Sequence, residues 1–131
     1  VSIIVGYVPT AEGTAALDRA ISEAHKSQSR LVIINSSRGD AIVDKRYAQA
    51  QDISEVTERL EKEGIDHLVL QPVRGNDAAN EVLEAAEKYR AELIVIGLRK
   101  RTPVGKLIMG STAQQILLEA TCPVLAVKAG A

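Results

Sequence analysis

The stretch Leu93-Ile94-Val95-Ile96-Gly97-Leu98-Arg99-Lys100-Arg101-Thr102-Pro103-Val104-Gly105-Lys106-Leu107-Ile108-Met109-Gly110-Ser111-Thr112 decides the fold. Its apolar, mostly β-branched opening reads as a buried strand, and the segment after Gly110 reads as the start of a helix. A strand that ends in glycine and passes through a basic loop into a helix N-terminus has the parts of a phosphate cradle. Gly97 and Gly110 carry no Cβ and would let a ligand approach the main chain. Arg99, Lys100, Arg101 and Lys106 place positive charge in the same loop. Ser111 is the expected N-cap, with the free N–H groups of the first turn facing outward. The competing reading is a capping box of Ser111 with Gln114, which stabilises a helix and binds nothing.

Outward from this unit, apolar runs recur at Ile3 to Val5, Leu31 to Ile34, Leu68 to Leu70 with Val73, and Val124 to Val127. None alternates as a half-solvated antiparallel strand does, so they read as buried on both faces. Helical spacing links Leu17, Ala20, Ile21 and Ala24, and then Ile53, Val56 and Leu60, with Gly64 placed to end that helix. A third helix carries Ala79, Val82, Leu83, Ala86 and Tyr89 behind the capping candidates Asn76 and Asp77. A fourth carries Ala113, Ile116, Leu117 and Ala120. Five strands alternating with four helices predict an α/β domain with a mainly parallel sheet and helices on both faces. The strand-to-helix loops then open at one edge of the sheet, bringing together Tyr7 to Thr10, Ser36 to Ala50, Arg74 to Asn76 and the basic loop. Function is expected at that edge. The long Ser36 to Ala50 connection reads equally as a ligand cover or as surface.

A chain of 131 residues is expected to form one domain over 1–131. Its composition, 46% hydrophobic and 25% charged, is that of a soluble globular protein, and its apolar runs are too short to span a bilayer. No membrane partner is expected. Strand-like sequence begins at Val1, so no leader is expected and the cytoplasm is the expected location. Sixteen cations against seventeen anions give a net charge of −1, which carries no electrostatic footprint of a nucleic-acid binder. Cys122 is the only cysteine, so no internal disulfide forms, and its setting between Thr121 and Pro123 reads as a buried structural thiol.

Catalysis finds little support in these residues. His25 lies on a polar stretch and reads as solvated, and His67 beside Asp66 reads as a rim residue. No nucleophile elbow stands ready to pair with His67. Neither histidine has a second ligand at zinc spacing. Flavin is disfavoured because Tyr7, Tyr47 and Tyr89 are the only aromatic side chains besides the histidines. Gly105-Lys106 is followed by Leu107, so the full nucleoside-triphosphatase loop motif is absent.

As a whole the chain resembles the universal stress protein family. The residues that carry the resemblance are Ile3-Ile4-Val5, Gly75, Ala91-Glu92-Leu93-Ile94-Val95-Ile96-Gly97, Gly110-Ser111 and Cys122-Pro123-Val124-Leu125-Ala126-Val127. The resemblance implies a Rossmann-like, adenine nucleotide alpha hydrolase-like sheet in the order 3-2-1-4-5. It also implies a homodimer formed through the last strand at Val124, Leu125, Ala126 and Val127. In that order a crevice opens between Val8 and Gly97. Members that bind ATP look like Gly-x2-Gly-x9-Gly-[Ser/Thr] in the fourth-strand loop. Here Gly97, Gly110 and Ser111 match, while Lys100 stands at the second glycine. Val8 stands where such members look as if they carry an aspartate, and Ser36 stands where an apolar adenine contact is expected.

The expected function is therefore a non-catalytic, adenine-nucleotide-binding homodimer of the stress response, with ATP or another adenine nucleotide held weakly. In this reading the backbone at Gly97 and at Gly110 to Thr112 holds phosphates, and Ser111 donates its hydroxyl. Arg99 or Lys100 neutralises charge, and Val8 and Ser36 flank the base. The alternative is a nucleotide-independent interaction protein of the same fold. Slow ATP hydrolysis would rely on positioning alone.

Overall fold

A computed structural model describes residues 1–35, 50–71, 77–98 and 110–129. The elements run β1 (Ser2–Gly6), α1 (Ala11–Ser27), β2 (Arg30–Ile34), α2 (Ala50–Lys62), β3 (His67–Leu70), α3 (Ala78–Lys88), β4 (Ala91–Leu98), α4 (Ser111–Glu119) and β5 (Val124–Lys128). Each apolar run of the sequence has become a strand, and each segment of helical spacing a helix. The strands form one parallel sheet in the order β3-β2-β1-β4-β5. β4 is longer than its apolar run and carries Gly97 inside the strand, paired with Val127. Val73 lies outside the described residues.

Side-chain alternation along the strands divides the core into two layers. Ile3, Val5, Leu31, Ile33 and Val95 face α1 and α2, where Leu17, Ala20, Ile21, Val56 and Leu60 cover them. Ile4, Val32, Ile34, Ile94 and Ile96 face the other way, under Ala79, Val82, Ala85 and Ile116 of α3 and α4. The central strands are buried on both faces, whereas β3 and β5 are half-buried because among the described residues each has a neighbouring strand on one side alone. On α3, Ala85 is buried with Ala79 and Val82, whereas Leu83 is half-buried. On α4, Leu117 is more exposed than its helical spacing implied, and the adjoining Leu118 is 77% exposed.

Local chemistry sets the ends of the helices. Thr10 caps α1 by accepting from the Gly13 N–H, and Asp77 caps α3 by accepting from the Asn80 N–H at 2.8 Å. Gly64 follows α2 with φ of +70°, a left-handed conformation that glycine adopts without a steric penalty. In a parallel sheet every strand then points its carboxyl end at the same edge. The β1 exit, the end of β2, the end of β4 and the start of α4 all belong to it.

Candidate nucleotide site at the carboxyl edge

At the β1 exit the Tyr7 N–H donates to the Ile34 carbonyl at 2.9 Å, and the Thr10 N–H donates back to the Val8 carbonyl at 2.8 Å. The chain thus turns tightly into α1. Two glycines let this turn press against its neighbours. A Cβ on Gly13 would lie 1.7 Å from the Val8 carbonyl oxygen, and one on Gly97 would lie 2.2 Å from the Glu12 carbonyl oxygen. The first turn of α1 is therefore seated main chain to main chain on both the β1 exit and the end of β4. Val8 and Gly97 are brought to the two sides of that turn, as the switch-point topology requires. The missing Cβ of Gly97 lets the end of β4 pack closely on the Glu12 main chain, a packing role that its sequence context does not assign to it.

Asn35, at the end of β2, is completely buried. Its side-chain amide donates to the Tyr7 carbonyl at 2.8 Å, and its Oδ1 accepts from Gln71 Nε2 at 3.2 Å. The ends of three adjacent strands are thereby tied together beneath the edge. Burial pushes the Tyr7 phenol above its ordinary range, and the Asp52 and Glu55 carboxylates of α2 push it the same way, so it stays protonated at neutral pH.

The start of α4 differs from what its sequence suggested. Gly110 is the N-cap, in extended conformation and without a side-chain cap bond, and Ser111 is the first helical residue. The capping box of Ser111 with Gln114 does not form, because the Gln114 N–H donates to the Gly110 carbonyl at 3.0 Å. A serine at the first helical position lies past the N-cap, the place from which a side chain accepts the N–H groups two or three residues further on. Ser111 is exposed, Thr112 is half-buried, and among the described residues a Cβ on Gly110 would meet nothing within 4 Å. Gln115 ties this helix to α3 by donating to Asn80 Oδ1 at 3.2 Å. Ser36, Arg99 and Lys100, assigned to the site by sequence, lie outside the described residues.

Both histidines are engaged away from this edge. His25 Nε2 meets Glu63 Oε1 at 3.1 Å on the outer surface. His67 Nδ1 lies 2.9 Å from the Ile65 carbonyl, at the start of β3. Cys122 is half-buried rather than buried, and desolvation pushes its thiol up. Among the described residues no group of three His, Cys, Asp or Glu could hold a metal, and no helix is long and apolar enough to cross a membrane. Sequence reasoning missed Glu12, Gly13, Asn35 and Gln71. The available signals were a glycine three residues after Thr10 and a polar residue ending the apolar run Leu31 to Ile34.

The sequence model of the universal stress protein family matches residues 2–128. A universal stress protein of Mycolicibacterium smegmatis is 46% identical over 126 residues, covering 96% of each chain. Among solved structures, a universal stress protein from Archaeoglobus fulgidus superposes with a TM-score of 0.73 at 30% identity, covering 98% of each chain. Another from the same organism, solved in complex with dAMP, gives a TM-score of 0.68 at 21% identity, again over 98% of each.

Proposed function

The chain belongs to the universal stress protein family, and on that premise we propose that it binds adenine nucleotides, ATP among them, at the carboxyl edge of its sheet without turning them over. The observation that carries this reading is the start of α4. α1 and α3 have side-chain caps, while α4 begins at a glycine that makes no side-chain cap bond, and among the described residues no side chain is seen to satisfy the neighbouring N–H groups. Free N–H groups and the positive end of a helix dipole favour an anion there. The sequence adds Arg99 and Lys100 to the loop that leads into it. In this reading Gly110, Ser111 and Thr112 hold phosphates, and Val8 lies towards the nucleoside. The dAMP held by the Archaeoglobus fulgidus neighbour supports an adenine nucleotide as the class of guest. Both histidines are occupied elsewhere, which favours binding over turnover.

We further propose that the working unit is a homodimer paired through β5. Among the described residues this strand bonds to β4 alone, and its other edge, along Val124, Leu125, Ala126 and Val127, invites a second copy. The interaction-protein reading keeps one supporting observation, the exposed Leu118 on α4.

Calorimetric titration with ATP, ADP, AMP and adenosine tests the binding reading. Phosphorylated ligands should bind far better than adenosine. Heat from none of them at millimolar concentration would hand the protein to the interaction reading.

A further inference from the structure

No further inference is drawn: the strongest candidate, the side-chain cluster at the amino edge of the sheet where Arg30 and Lys88 lie over the Tyr89 ring, carries nothing, because both cations are accounted for by the ring face and by the carbonyl end of α3, and nothing in the structure shows what else would cover them.

Discussion

Asn35 spans from the end of β2 to the β1 exit, its side-chain amide donating to the Tyr7 carbonyl at 2.8 Å from a fully buried position. A buried carbonyl that loses its donor keeps the desolvation penalty without the bond. Asn35→Leu should therefore destabilise the fold by about 1–3 kcal/mol. Urea unfolding followed by circular dichroism measures this, and an unchanged midpoint would show that the link does not hold the edge.

The three glycines of the site should separate cleanly by substitution. Gly97→Ala forces a methyl onto the Glu12 main chain and Gly13→Ala forces one onto the Val8 carbonyl. Each should cost about 3 kcal/mol, the upper end of overpacking penalties. A Cβ on Gly110 would meet nothing within 4 Å among the described residues, and its φ is an ordinary −73°. Gly110→Val should melt close to the native protein and yet lose nucleotide. Retained binding in that variant would remove the α4 start from the site.

Stability should respond to mild acid through Glu63. Its carboxyl is held below the usual range chiefly by the hydrogen bond with His25, then by that with Arg59. A carboxylate whose pKa is depressed by folding adds stability that is present above its unfolded pKa and fades as pH falls through its folded one. Native protein should thus exceed Glu63→Gln in stability at neutral pH, with the gap closing below the ordinary carboxylate range. These are exposed groups, so the gap should be small and shrink in high salt. A gap that widens on acidification contradicts this account.

The β5 pairing predicts two subunits by light scattering at micromolar concentration. Leu125→Asp should give one, with unchanged far-ultraviolet circular dichroism. A monomeric native chain would remove the edge-pairing proposal.

The strands, the helices and their apolar faces were legible in the sequence because burial imposes a period on each segment separately. Asp77 and Gly64 announced their roles for a similar reason, since a cap and a left-handed turn are local events. Strand order came through the family resemblance, because five apolar runs of similar character do not say which of them pair. The tertiary structure decided the roles of single residues at the edge. Gly97 gained a packing role that its own segment does not announce, because the first turn of α1, some eighty residues earlier in the chain, rests on it. Ser111 had every local mark of an N-cap, and the cap fell one residue earlier, at Gly110. Glu12 and Asn35 acquired their meaning only from partners distant in sequence. Periodicity is a property of one segment, whereas close approach and hydrogen bonding across the edge are properties of segments that folding alone brings together.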